Sequence, residues 1–226
     1  MLNSLCLPWE RIDERSPLAL QIAAATARDI IELRIPHGEF LTEAALAAAA
    51  EASRTPAREA MLQLEAWSLV RLLPKKGAIV TSVTAKERQD MLALRAMLEI
   101  DAVESIERGT TNLDLLRDSL ETALQRQRTA LVEGHNLEFA SADYTLHASI
   151  ILHGGNTVVA GLLETLAPRI ARLTYLAITE APDRLPRLMA EHEELAKHAL
   201  AGDAPKYAKL IRTHISVGHS TLLAGI

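Results

Sequence analysis

Strand-forming sequence occurs in one place in this chain: Leu69-Val70-Arg71-Leu72-Leu73, then Pro74-Lys75-Lys76-Gly77, then Ala78-Ile79-Val80-Thr81. Two short β-prone runs joined by a Pro/Gly turn read as a hairpin. From Val83 onward there is no further strand signal, only long segments of helical periodicity punctuated by Gly, Pro, Asn or Asp. The chain is therefore expected to be mainly α, with a single hairpin to accommodate.

Composition agrees. Hydrophobic residues make up 49% of the 226 positions but aromatics only 3%, so the apolar content is largely Ala and Leu, which form helices well. No apolar run approaches the ~20 residues that span a bilayer, and Met1-Leu2-Asn3-Ser4-Leu5-Cys6 lacks a basic segment followed by an apolar one. The reading is a soluble, unexported, cytoplasmic protein with no membrane partner. The single cysteine, Cys6, leaves no internal disulfide and no thiolate-rich metal site. A net charge of −5 argues against a protein that coats nucleic acid indiscriminately, but it allows a locally basic reader.

Residues 1 to 15 show no clear periodicity and read as an extended arm or a short packing segment. Helical spacing runs from about Pro17 to Arg34 and stops at Pro36-His37-Gly38; Thr42 can cap a short helix through Leu46 and Ala50. A third helix starts at Ser53-Arg54-Thr55-Pro56, where Ser53 or Thr55 can accept from free N–H groups and Pro56 suits the first turn. Helix, short helix, tight turn, helix is the helix-turn-helix order. Arg54 and Arg58 stand four apart on one face of the third helix, placed to meet phosphates and guanine edges in a major groove. From Arg54 to Lys76, five basic residues oppose Glu59 and Glu65, a local excess of three. Lys75, Lys76 and Gly77 lie at the hairpin tip, where backbone can approach a phosphate chain closely. A basic hairpin directly after a helix-turn-helix reads as a wing.

The expected architecture is an N-terminal winged helix-turn-helix with its arm over residues 1–82 and a C-terminal all-α helical bundle over 83–226. Helices are placed at about Ala85 to Arg108, Leu113 to Glu133, His135 to Leu152, Thr157 to Thr179, Asp183 to Ala201 and Ala204 to Leu223. Three of them carry ionisable groups inside apolar stripes. Asp143 and His147 share a face with Phe139, Leu146 and Ile150; His192 lies among Leu188, Leu195 and Ala199; His214 lies among Tyr207, Leu210, Ile211 and Val217. A buried carboxylate needs compensation and a neutral imidazole needs partners for both nitrogens. One divalent metal held by Asp143, His147, His192 and His214 would satisfy all four, with zinc the first choice and nickel, manganese or iron also compatible. The other reading is four separate core residues, each hydrogen-bonded to its neighbours. His198 falls with Glu191 and Glu194 on the polar side of its helix, and His219 is ambiguous. Arg95 also interrupts an apolar face; it can pair with Glu99 one turn on, or fork a bound carboxylate.

The run Ser53-Arg54-Thr55-Pro56-Ala57-Arg58-Glu59-Ala60, followed by Leu69-Val70 and Pro74-Lys75-Lys76-Gly77-Ala78-Ile79-Val80, resembles the winged-helix signature of the GntR family of bacterial transcription regulators nearly residue for residue. Downstream, Arg95 with Leu98-Glu99, Asp143 with His147, Gly155-Asn156, His192, Gly202-Asp203 and His214 are similar in order and spacing to the FCD-type ligand-binding domain of the FadR subfamily. The resemblance implies a homodimeric regulator of a double-stranded DNA operator, with DNA contacts from Arg54, Thr55, Arg58, Lys75, Lys76 and Gly77. It implies a divalent metal on Asp143, His147, His192 and His214, and a small carboxylate effector near Arg95 and Asn156. Repression relieved by effector is the expected sign. The sequence departs from the family pattern at three places: Glu51 where the turn usually has Gly, Ala44 where some members place a basic DNA contact, and Leu146 where an aromatic is frequent. The competing functional readings are a metal-dependent hydrolase using the Asp/His site and a winged helix that contacts protein or RNA, the latter disfavoured by the scarcity of aromatics for base stacking.

Overall fold

The computed structural model describes residues 6–109 and 111–218. Its N-terminal segment forms a 3-10 turn at Pro8–Arg11 in which Leu7 and Trp9 are fully buried, so this stretch packs against the fold. The winged domain follows: α1 (Leu18–Ile31), β1 (Phe40–Leu41), α2 (Glu43–Ala49), α3 (Arg54–Ala66), β2 (Val70–Leu73) and β3 (Gly77–Val80). The first helix is shorter than its periodicity suggested, because Leu33 turns into the left-handed region at φ 61° before the proline is reached.

The hairpin forms as expected, with Val70 opposite Val80 and Leu73 opposite Gly77. It gains a third strand that the sequence did not announce, since β1 is two residues long and pairs antiparallel with β3 to give the order β1-β3-β2. Gly77 is required where these strands meet. Its φ is +103°, and a Cβ there would lie 2.2 Å from the Leu41 carbonyl oxygen.

The second domain consists of α4 (Ala85–Glu107), α5 (Leu113–Glu133), α6 (Asn136–His153), α7 (Thr157–Glu180), α8 (Leu185–Leu200) and α9 (Ala204–Gly218). Helix starts follow side-chain chemistry: Thr84, Asn112 and Asn156 each accept from an amide of the first turn of the helix that follows. The continuation of the last helix to Leu223, His219 and the side chain of Val217 lie outside the described residues.

Helix α6 is the axis of this bundle. Every residue from Phe139 to Ile151 is buried, with α4, α5 and α7 packed around it. Its polar side chains therefore have to find partners inside the core: Thr145 donates to the Ser141 carbonyl and Ser149 to the Thr145 carbonyl. One apolar core runs from the winged domain into α6 and α7, and a second joins α4, α5, α6, α8 and α9. The site residues lie where α6 faces α4, α8 and α9.

Candidate DNA-reading face and metal centre

Helix α3 starts at Arg54, with Ser53 in the N-cap position but without a side-chain capping bond. The tight turn before it depends on Glu51, held at φ 49°. Ala57, Ala60, Met61 and Leu64 bury one side of α3, which leaves Arg54, Thr55 and Arg58 exposed on the other. At the wing tip Lys75 and Lys76 are exposed and Lys75 takes φ 61°. Arg58, Lys75, Lys76 and Gly77 line one groove of about 570 Å³ between α3 and the wing. The structure thus brings the helix and the wing tip to one basic face, in the arrangement by which a recognition helix enters a major groove beside a backbone-contacting wing.

In the second domain Asp143, His147, His192 and His214 come together, all buried, with one donor atom from each within 4.8 Å of the others. The imidazole rings pack with centroids 4.8 to 5.5 Å apart. Each ring is oriented from behind. His147 Nδ1 lies 2.9 Å from Glu99 Oε2, His192 Nδ1 2.9 Å from Gln127 Oε1, and His214 Nδ1 2.9 Å from Glu191 Oε2. A carboxylate can only accept, so Nδ1 carries the proton in His147 and His214 and their Nε2 lone pairs are free.

Burial, with Arg95 adding to it, pushes the His147 pKa down despite Glu99. Burial likewise brings His214 down to about 4 despite Glu191. For Asp143, burial alone would raise the carboxyl, but His192, His147 and Arg95 together hold it well below the usual range. At neutral pH these groups offer lone pairs.

The centre is unsatisfied as it stands. Among the described residues His147 Nε2 and His192 Nε2 are buried without a hydrogen-bond partner. His192 Nε2 approaches Asp143 Oδ1 to 3.1 Å. When its proton is on Nδ1 toward Gln127, His192 presents a lone pair to that carboxylate oxygen, and a cation between the two would satisfy both. Two donors bound at ~2.1 Å to one ion stand roughly 3 Å apart, so the residues fit a divalent metal of the zinc type.

Arg95 bonds Glu99 through Nε at 2.9 Å, and its Nη1 lies 3.7 Å from Asp143 Oδ2. The i,i+4 ion pair is therefore formed, and the same guanidinium also borders the metal centre. Asn156 is set apart from this group: it is exposed and accepts from the Val158 amide as the cap of α7.

Three supporting residues escaped the sequence reading. Glu99 does more than pair with Arg95: it is fully buried and also accepts from Tyr207; burial would raise its carboxyl, and His147, Arg95 and Tyr207 bring it down to about 2. Glu191, on the polar side of its helix by spacing, reaches inward to His214. Gln127 continues the α5 stripe of Leu116, Leu120, Ala123 and Leu124, and a polar residue in that register was the available signal.

An exposed basic helix and wing joined to a helical bundle with a buried donor cluster define a two-domain DNA-binding regulator. The chain belongs to the GntR family: the description "Bacterial regulatory proteins, gntR family" matches residues 18–80 and "FCD domain" matches residues 90–217. It is 26% identical over 183 residues to the gluconate operon transcriptional repressor of Bacillus licheniformis, covering 79% of this chain and 74% of that protein. A probable D-xylose utilization operon transcriptional repressor of Paenarthrobacter nicotinovorans is 24% identical over 88% of this chain and 86% of its own length. In fold, a GntR regulator from Rhodococcus sp. RHA1 matches with a TM-score of 0.77 at 20% identity, over 92% of this chain and 98% of that one. These relatives are transcription regulators, and among the described residues no helix is long and apolar enough to cross a membrane.

Proposed function

We propose that this chain is a cytoplasmic, homodimeric repressor whose operator binding responds to a small organic acid at a metal-containing site in the helical domain. The observation that carries the reading is the buried donor set whose three imidazoles are each oriented by a polar side chain behind Nδ1. A divalent ion there supplies a Lewis-acidic anchor for a carboxylate oxygen. Arg95, beside Asp143, supplies the cationic fork for the same anion, and Asn156 is carried as a further effector contact on family resemblance. That one relative is named for the gluconate operon is in keeping with a small organic acid as effector.

On the DNA side Arg54, Thr55 and Arg58 read bases and phosphates, while Lys75, Lys76 and Gly77 hold the backbone. A second copy places a second α3 on the other half of a near-palindromic operator. The effector shifts operator affinity by binding two arrangements of the dimer unequally. The hydrolase reading is not favoured, because Glu99 and Glu191, the carboxylates beside the donor set, are both held as acceptors of imidazole N–H and neither is free as a general base.

The test combines metal analysis and operator binding on wild type, His192→Ala and the double variant Arg54→Ala/Arg58→Ala. Near-stoichiometric metal in the wild type, lost in His192→Ala, is expected. The double arginine variant keeps its metal and loses at least ~10-fold in operator affinity at matched salt. A metal-free wild type, or arginine variants that bind operator unchanged, would refute the corresponding half.

A further inference from the structure

The junction between the two domains contains a cleft of about 260 Å³ that the DNA-reading face and the metal centre leave unused. Ser68, Thr81 and Ser82 form its wall at the base of the wing; Glu87 of α4 with Arg169 and Arg172 of α7 form the other. Arg172 is only 3% exposed, yet among the described residues its Nε has no hydrogen-bond partner. Among the described residues its guanidinium makes one long bond, Nη1 to Thr81 Oγ1 at 3.4 Å. That hydroxyl already directs its proton at the Ser68 and Leu69 carbonyls, at 2.9 and 3.0 Å.

The carboxylate whose field reaches Arg172 is Glu87, and Glu87 is ion-paired with Arg169. Two guanidinium groups therefore share one carboxylate, leaving one positive charge in excess. An arginine keeps its charge at any physiological pH, so a buried one with an orphan donor calls for an anion. Val83 and Glu87, on either side of the start of α4, a 23-residue helix capped by Thr84, also line the cleft.

We propose that this cleft binds one tetrahedral oxyanion, inorganic phosphate or the phosphate group of a phosphorylated metabolite, between Arg172 and Arg169 on one wall and the wing-base hydroxyls on the other. Guanidinium forks and hydroxyls approaching from opposite sides suit an anion whose oxygens point in several directions. Once seated, the anion ties α7 directly to the base of the wing.

The test is thermal melting of the full chain in tens of millimolar phosphate against chloride at equal ionic strength, for wild type, Arg172→Met and Ser82→Asp. Phosphate is expected to raise the wild-type midpoint by about 4 °C over chloride and to leave both variants unmoved. Ser82 is exposed, so Ser82→Asp introduces a competing carboxylate at the rim and decides the matter even if Arg172→Met does not fold. Equal midpoints in phosphate and chloride overturn the proposal, as does a phosphate shift that persists in both variants. A hexose phosphate acting at lower concentration than phosphate, with the same loss in the variants, identifies a metabolite as the source; equal potency identifies the free ion.

Discussion

Glu99 is the residue on which most of the metal centre's order depends. It orients His147, neutralises Arg95 and accepts from Tyr207, all in a fully buried position. Replacing it with Gln keeps the shape but leaves Arg95 with only Asp143, 3.7 Å away, as a counter-charge. Glu99→Gln is expected to destabilise the metal-free protein by about 3 kcal/mol in urea unfolding and to weaken metal affinity roughly 10- to 100-fold. Unchanged affinity would show that the imidazoles orient without it. The same centre sets a pH dependence. Burial brings the folded His214 down to about 4 from an ordinary 6.5, so between those values the unfolded chain holds a proton that the folded one does not. Stability of the metal-free protein therefore falls as pH drops from 6.5 toward 4, by up to about 3 kcal/mol, and is flat with respect to this group above 6.5. The carboxyl of Glu99, at about 2, adds its own loss only below 4.5. Urea midpoints at pH 7.5 and 5 check the sign, and His214→Gln is expected to flatten the slope. The four donors were readable from the sequence because each breaks an apolar stripe on its own helix. Their outer partners were not, since Glu99 and Glu191 have ordinary i,i+4 partners in Arg95 and Arg187 and only packing between helices reveals their second role.

At the level of the elements, the turn between α2 and α3 is one place where sequence and conformation conflict. Glu51 adopts φ 49° with an exposed side chain, a backbone region that costs a non-glycine residue about 1 kcal/mol. Glu51→Gly removes that strain but gains chain entropy when unfolded, and the expected net effect is a stabilisation of about 0.5 kcal/mol. A gain in urea midpoint with no change in metal content supports this; a loss would show that the Glu51 side chain itself supports the turn. The long helices were legible because periodicity, Thr or Asn caps and Gly or Pro stops agree at both ends; α5 runs over Leu113–Glu133 as its pattern indicates. Strand β1 was not legible, because two residues carry no periodicity and Phe40–Leu41 becomes a strand only through pairing with Ile79 and Ala78. Helix α6 shows the limit of reading by faces. Its stripe was real, but the helix is buried on all sides, so the polar residues off the stripe are as enclosed as those on it.

Across the whole molecule, the N-terminal segment links the two domains. Trp9 meets Trp67 at the end of α3 edge-on, with ring centroids 6.1 Å apart. The adjacent Glu10 accepts from Arg126 of α5 at 2.6 Å, and Arg126 also bonds Glu138 of α6 at 2.8 Å. The two tryptophans of the chain both lie on the winged-domain side of this link, whereas the longest helices belong to the other domain. Tryptophan fluorescence therefore follows the first domain and far-ultraviolet circular dichroism mainly the second. A ligand that binds only the folded state raises the stability of whatever unfolds together with its site. Saturating divalent metal is thus expected to raise both midpoints equally in the wild type, although every proposed ligand is in the second domain. Arg126→Ala removes both ion pairs and leaves the tryptophans in place, so the fluorescence midpoint should gain less from metal than the dichroism midpoint. Equal gains in the variant would show that the continuous apolar core through α6 and α7, rather than the N-terminal segment, carries the coupling between metal centre and DNA-reading face.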